Sequence, residues 1–585
     1  MKRDLEAAVQ AATHELFGLD VAIELTRPEE QFGDYATNVA LQVSKQLNKS
    51  PHEIAEALAD KLRQTLADKF ASVSVAGPGF LNLTLNDGTL AQALQTEPEK
   101  ALAGQVIVAE YSDPNPFKVL HAGHLYTSVV GDAIANLLEN AGATVHRVNF
   151  GGDVGLHVGK TMWAILENLG GENPDKLAEI PETERSEWMA RAYVAGTKAY
   201  EDNEQAKAEI TTLNKHVYQL HSDNDHDSPF ARVYWTCREW SYDYFNAFYA
   251  RIGVKFEKYY PESETVSIGL ETVREHLADG VYKESDGAVI FDGEKYGLHT
   301  RVFINSEGLP TYEAKDVGLS ILKARDYHFN RSIIITANEQ EQYMSVVLKS
   351  IEQFAPELSS ATTHLTHGMV KLAGGEKMSS RKGNFLRAVD VLDAATEANR
   401  AQTEQANELT TLGAVKYAFL KNRMGGDLIY DPQESVSLEG NSGPYLQYAH
   451  ARACSILRKA SEPAINDTRH PELVSGPPVN NEQILKQVQD DDGATKSGDY
   501  QPDERGLVRK ITEYPEVVTQ ATSELMPHLI CTYLYELAQT FNRFYEHNRV
   551  LGDDRQVFRL KLVEIYANTL KNGLELLGIS APEQM

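Results

Sequence analysis

Two short stretches carry the residue types of nucleotide chemistry. The first is His121-Ala122-Gly123-His124. Residues three apart share a helix face, so both imidazoles would point one way. A helix start also offers free backbone N–H groups and a partial positive charge. Gly123 has no side chain, which lets a flat group come close. Together these make a site for the phosphates and base of a nucleotide, although two ordinary histidines at a helix start would look the same in isolation. The second stretch is Lys377-Met378-Ser379-Ser380-Arg381-Lys382-Gly383, three cations within six residues, preceded by Gly374 and Gly375. It suits a phosphate-binding loop; the plain alternative is a solvated basic surface loop.

The first stretch needs a particular setting. Gln105–Glu110 is a short apolar run of the kind buried in parallel sheets. A loop holding Pro114 and Pro116 follows, and His121–Ala141 then reads as a helix stopped by Gly142. Val145–Phe150 is a second strand, so the segment predicts a βαβ unit and a parallel sheet. Ser332–Thr336 is a further buried strand, and the polar helical stretch 170–260 reads as an insertion. Before this unit, residues 1–90 form a compact α+β module. It has helices at Leu5–Leu16, Ala36–Leu47 and Ile54–Leu66 and strands at Val73–Val75 and Phe80–Leu85. Ala91–Gly104 is a connector. From about Val389 the pattern is helical, except for Glu462–Arg505, rich in Pro, Gly, Asn, Gln and Asp. That stretch reads as a disordered insert, and its wording is similar to translated repetitive elements.

The two stretches lie about 250 residues apart, in an order that resembles the paired HIGH and KMSKS signatures of class I aminoacyl-tRNA synthetases. Longer segments narrow the likeness to arginyl-tRNA synthetases. They are Val108–Leu125, Gly131-Asp132-Ala133, Arg147–Gly155, Phe32–Asn38, Gly443–Arg452 and the closing Leu574–Met585. The resemblance implies an α/β Rossmann-like catalytic domain over 105–388. It also implies an α+β N-terminal domain over 1–90 that touches tRNA, and an all-α C-terminal anticodon-binding bundle over 389–585, interrupted by the insert 462–505. The implied reaction activates arginine with ATP and transfers it to tRNA(Arg), with tRNA needed for efficient activation.

Roles follow by the same resemblance. His121, His124, Lys118 and Lys377 would be catalytic, and Gly123, Met378, Ser379, Arg381 and Lys382 would bind ATP. Glu110, Tyr312 and Asp316 would hold the guanidinium, with Tyr312 and Asp316 four apart on one helix face. Asn115 and Gln340 would hold the amino-acid end. Asn38, with Phe32, and Tyr445, Gln447, Tyr448, His450 and Arg452, with Phe541–Tyr545, would touch tRNA; RNA bases are read by stacking and edge hydrogen bonds. The sequence departs from the family at Ser380-Arg381, where Lys-Ser is usual, at His157, often Gln, and at Tyr343, often His. Lys118 has the spacing of a lysine thought to compensate for the first departure. Magnesium is expected to come with ATP, without a protein cage.

Composition sets the remaining bounds. The 585 residues are 42% hydrophobic and 24% charged, as in a soluble multidomain protein, and no run reaches the ~18 apolar residues of a membrane span. Three scattered cysteines suggest reduced thiols and a cytoplasmic location, and a monomer is the expected state. The formal net charge of −28 weighs against a nucleic-acid partner unless 56 Lys and Arg gather a local basic face. The alternative is a tRNA-binding paralogue without catalytic activity.

Overall fold

The computed structural model describes residues 1–373, 386–402, 407–461 and 500–585. In the amino-terminal module, helices α1 (Lys2–Phe17), α2 (Val39–Leu47) and α3 (Pro51–Thr65) accompany an antiparallel sheet of order β1-β3-β2. Its strands are β1 (Tyr35–Thr37), β2 (Phe70–Ala76) and β3 (Phe80–Leu85). The expected helix from Ala36 is corrected here: Ala36 and Thr37 pair with Asn82 and Leu81 of β3, and helix begins only at Val39. Sheet pairing overrides the local helical pattern. The expected connector also starts late, because Ala91–Ala93 finish α4 (Asp87–Ala93), which Asn86 caps by accepting the Thr89 N–H.

The catalytic sheet is parallel throughout. Strands β4 (Val106–Glu110), β5 (Thr144–Gly151), β6 (Lys258–Pro261), β10 (Arg331–Ala337) and β11 (Thr362–His367) run in the order β11-β10-β4-β5-β6. Ile107, Val108, Ile333 and Ile335 are fully buried, as the unbroken apolar runs require of strands covered on both faces. Helix α5 (Ala122–Asn140) crosses from β4 to β5. The chain leaves β4 in one direction and later returns on its other side as β10. The carboxyl ends of β4 and β10 therefore open a crevice at the point where strand order reverses.

After α6 (Leu156–Leu169), the insertion builds α7 (Arg185–Asp202), α8 (Glu204–Ser222) and α9 (Pro229–Ile252). They pack around Met162, Phe230, Tyr234 and Cys237. At the end of the expected span of about 170–260 the chain returns to the main sheet as β6. Helix α10 (Glu262–Glu275) follows at once. A small antiparallel sheet of β7 (Lys283–Ser285), β8 (Ala288–Phe291) and β9 (Arg301–Ile304) then leads to α11 (Tyr312–Tyr327), and α12 (Glu341–Glu352) and α13 (Pro356–Ala361) lie between β10 and β11.

The last block holds α14 (Ala388–Gln402), α15 (Glu408–Leu420), α16 (Pro432–Ser435), α17 (Gly443–Ser461), α18 (Pro502–Thr512), α19 (Tyr514–Glu524), α20 (His528–His547) and α21 (Gln556–Leu576). It is not wholly helical: β13 (Leu428–Tyr430) pairs in parallel with β12 (Val370–Leu372). Of the expected insert, 462–499 lie outside the described residues, and its last residues are ordered as the first turn of α18, opened by Pro502. Arg505 from that turn reaches the fully buried Asp34 at 2.7 Å, with Arg509 at 3.4 Å. This buried ion cluster fastens the amino-terminal module to the helical block.

Candidate active site

The His121 and His124 rings stack, with centroids 3.8 Å apart. His121 caps α5: its Nδ1 accepts the Gly123 N–H at 3.1 Å, and His124 Nδ1 accepts the His121 N–H at 3.1 Å. A neutral imidazole that accepts through Nδ1 carries its proton on Nε2. Both rings therefore have an N–H left to donate. A Cβ at position 123 would lie 2.9 Å from the His121 ring, so the cap itself demands glycine. Burial, then the charge of Lys118, holds His121 down to about 4 even though solvent still reaches the ring at the cleft mouth. Burial, then His121 and Lys118, pushes His124 well below the usual histidine range. Lys118 is itself lowered to about 8, chiefly by burial, and its Nζ sits 5.1 Å over the Tyr193 ring.

The two histidines share a cleft of about 460 Å³ with Glu110, Asp113, Asn115, Glu262, Tyr312, Asp316 and Gln340. It lies over the ends of β4 and β10, as the topology requires. Between β4 and α5 the backbone passes through left-handed conformations at Ser112 (φ 74°), Asp113 (φ 48°) and Phe117 (φ 67°). Such strain gathers where surrounding structure fixes a site. Asp113 Oδ1 accepts the Phe150 N–H at 2.8 Å, and Asn115 Oδ1 accepts the Gly152 N–H at 2.8 Å.

Four carboxylates face two buried lysines here. Lys323 pairs with Glu110 and Lys315 with Glu262, all four side chains nearly inaccessible. Glu110 and Glu262 thus each give one oxygen to a buried lysine, so either can meet a guanidinium only through its other oxygen. The Tyr343 hydroxyl donates to Asp316, so the departure at 343 places a phenol against the slot. Burial raises Asp316 to about 7, against the Tyr343 hydrogen bond and aided by Glu110 and Glu262. Burial and then Glu110 raise Asp113 well above the carboxylate range, and burial raises Glu262. Sequence reasoning missed Asp113 and Glu262. Glu262 opens α10 directly after Pro261, a helix-start signal that could have drawn attention to it.

Lys377, Met378, Ser379, Arg381 and Lys382 lie outside the described residues. The residues that follow that segment are anchored at the histidine motif. Leu386 O accepts the Ala122 N–H at 2.8 Å, and Ala388 N–H donates to Leu120 O at 2.9 Å. Among the described residues no group of three or more His, Cys, Asp or Glu is placed to hold a metal ion.

The proposed RNA contacts divide. Asn38 lines a hollow of about 480 Å³ with Phe32 and Phe80, whose rings are 47% and 42% exposed. Tyr448 is 47% exposed, Arg452 lies 4.6 Å over the Tyr545 ring, and Tyr445 accepts a hydrogen bond from Asn542 at 2.9 Å. Gln447 is corrected: it is fully buried and donates to Leu409 O (3.2 Å) and Ser580 O (2.8 Å). His450 is buried against Pro582 O, and Phe541 and Phe544 are core. Adjacent helix positions point about 100° apart, so Tyr448 faces out where Gln447 faces in.

Comparison with known proteins agrees over the whole chain. Residues 1–85 match the model "Arginyl tRNA synthetase N terminal domain", residues 87–431 match "tRNA synthetases class I (R), catalytic domain", and residues 446–585 match "DALR anticodon binding domain". The chain is 29% identical to the arginine–tRNA ligase of Flavobacterium psychrophilum, covering 99% of each. It is also 29% identical to that of Phocaeicola vulgatus, covering 100% of each. Among solved structures it is similar to the Thermus thermophilus arginyl-tRNA synthetase, with TM-score 0.78, 26% identity and full coverage of both chains. The Plasmodium falciparum enzyme shares the fold, with TM-score 0.77 at 21% identity, covering 100% of this chain and 99% of that one.

Proposed function

The chain belongs to the arginyl-tRNA synthetases of class I, and from that premise we infer that it activates arginine with ATP and transfers it to tRNA(Arg). The observation that carries the reading at the level of residues is the shared cleft. Paired N–H-donating imidazoles lie at a helix start on one side, and a lysine-buttressed acid slot lies on the other.

In the first step the arginine carboxylate attacks the α-phosphorus of ATP, giving arginyl-adenylate and pyrophosphate. In the second, the terminal adenosine hydroxyl of tRNA attacks the adenylate carbonyl and AMP leaves. We assign His121 and His124 Nε2–H to the phosphates, where neutral donors stabilise charge without a proton leaving. Lys118 supplies positive charge nearby, and the family resemblance gives Lys377, Arg381 and Lys382 the same task. Positioning and charge stabilisation provide most of the acceleration in such transfers. Asp316 would grip the guanidinium beside Tyr312, with Glu110 and Glu262 each contributing the carboxylate oxygen that its lysine leaves free. Asn115 and Gln340 would hold the amino-acid end. Magnesium would arrive on the ATP phosphates.

For tRNA, the hollow at Asn38, Phe32 and Phe80 suits one unstacked base, and Tyr448, Tyr445 and Arg452 offer stacking surfaces at the anticodon end. No helix among the described residues is long and apolar enough to cross a membrane. We place the enzyme in the cytoplasm as a monomer. The test is charging of a tRNA(Arg) transcript with labelled arginine. Arginine-specific, ATP-dependent charging is expected. Tight tRNA binding without charging would establish the inactive-paralogue alternative.

A further inference from the structure

We propose that Asp153 is a positioning residue for arginine recognition, acting through Glu262, and that Arg238 of the insertion locks it in place. The proposal rests on the assignment of Glu262 to the guanidinium. Helix α10 begins with Glu262, and its N-cap, Pro261, supplies no capping side chain. The cap comes instead from another strand. Asp153, just beyond β5, is fully buried, and its Oδ1 accepts the Ser263 N–H at 2.9 Å. Its Oδ2 accepts the Ser263 hydroxyl at 2.7 Å and Arg238 Nε at 3.0 Å. A carboxylate at that point also complements the helix dipole. Asp153 thereby fixes the first turn of α10 and, with it, the backbone that aims Glu262 into the slot.

The same corner reaches the other end of the substrate site. Gly152, the preceding residue, donates its N–H to Asn115. A Cβ on Gly152 would lie 2.6 Å from Asn115 Oδ1, 3.0 Å from the His157 ring and 3.1 Å from the Glu262 carboxyl carbon. Gly152-Asp153 is thus wedged between the two groups assigned to opposite ends of arginine. From behind, α9 delivers Arg238, whose guanidinium lies 5.2 Å from the Trp235 ring and 5.0 Å from the Tyr242 ring. Tyr234 of α9 donates to Asp153 O at 2.8 Å, and His221 Nε2 of α8 lies 3.8 Å from Asp153 Oδ2. The insertion therefore buttresses the arginine slot without touching the reacting atoms. A misplacement near 1 Å from such a distance can lower turnover on the order of a hundredfold.

The test uses the full chain with tRNA(Arg), measuring KM for arginine and for ATP in pyrophosphate exchange. The variants are Asp153→Asn, Arg238→Gln, Glu262→Gln and the double variant Asp153→Asn with Glu262→Gln. Asp153→Asn and Arg238→Gln are expected to raise the arginine KM about 10- to 100-fold while the ATP KM stays within about twofold. The double variant should be no worse than Glu262→Gln alone, because Asp153 acts through that carboxylate. Additive losses, equal rises in both KM values, or an unchanged arginine KM would overturn the proposal. Should Asp153→Asn not fold, Arg238→Gln carries the decision by the same criteria. An unmoved arginine KM in Glu262→Gln would instead sink the assignment of Glu262, and the proposal with it.

Discussion

Arginine binding should weaken as pH falls through neutrality, and the slot gives the size of the effect. Asp316 is held at about 7, first by burial and then by Glu110 and Glu262, with the Tyr343 hydrogen bond opposing. A guanidinium is always charged, so it pairs with the ionised carboxylate and competes with the proton there. Protonation of the free enzyme therefore lowers affinity on the acid side. For one group titrating near 7, the apparent Kd scales with the protonated-to-ionised ratio plus one. Moving from about pH 8 to about pH 6 then weakens binding roughly tenfold, or about 1.4 kcal/mol. Titration calorimetry of arginine into the enzyme without ATP measures this free of nucleotide ionisation, and binding near pH 7 should release a proton to the buffer. Asp316→Asn should flatten the profile and weaken binding by about 2 to 5 kcal/mol, the range for truncating one partner of a buried charged pair. An affinity that is level between those pH values, or a profile unchanged in Asp316→Asn, would refute the reasoning.

Replacing His124 by Ala removes a neutral donor aimed at the phosphates; kcat for pyrophosphate exchange should fall about 100- to 1000-fold with little change in arginine affinity. An equal loss in arginine binding would contradict that assignment. Gln447→Ala removes the buried donor to the Ser580 carbonyl, so thermal denaturation should show a loss of about 1 to 3 kcal/mol while anticodon-dependent tRNA affinity holds. Asp34→Asn breaks the buried tie to Arg505 and Arg509, which should cost about 3 to 5 kcal/mol in denaturant unfolding and raise the tRNA KM. Exchanging residues 462–499 for a short Gly/Ser linker should leave aminoacylation within about threefold, since loop length alone has a small free-energy effect; complete loss of charging would contradict the view of this stretch as dispensable.

Local patterns were legible wherever one physical constraint dominated. The runs Val106–Ala109 and Ile333–Ile335 announce strands covered on both faces, and the paired histidines sit at the helix start that their spacing implies. Ala36 went wrong because a three-residue strand, fixed by pairing with β3, carries almost no signal of its own. The Gln447 assignment failed for want of orientation: composition shows an aromatic and polar helix, not which side packs on the carboxyl-terminal tail. Glu262 and Asp113 escaped for a different reason. Glu262 meets Asp316 because α10 packs closely on α11, with Gly269 against Ala314 O and Gly318 against Thr265 O, and Asp113 joins them from the end of β4; no spacing along the chain encodes it. Tyr343, visible as a departure from the family, gained a meaning only when its hydroxyl was found on Asp316.

The central claim is that one arginine and one ATP meet in this cleft, phosphates at the histidines and guanidinium at the acids. Diffraction from crystals grown with a non-hydrolysable arginyl-adenylate analogue tests it directly. The guanidinium should lie in the acid slot against Asp316, Glu262 and Glu110, and the phosphate within hydrogen-bond distance of His121 or His124. Density for the analogue reversed in the cleft, or bound elsewhere on the protein, would contradict it.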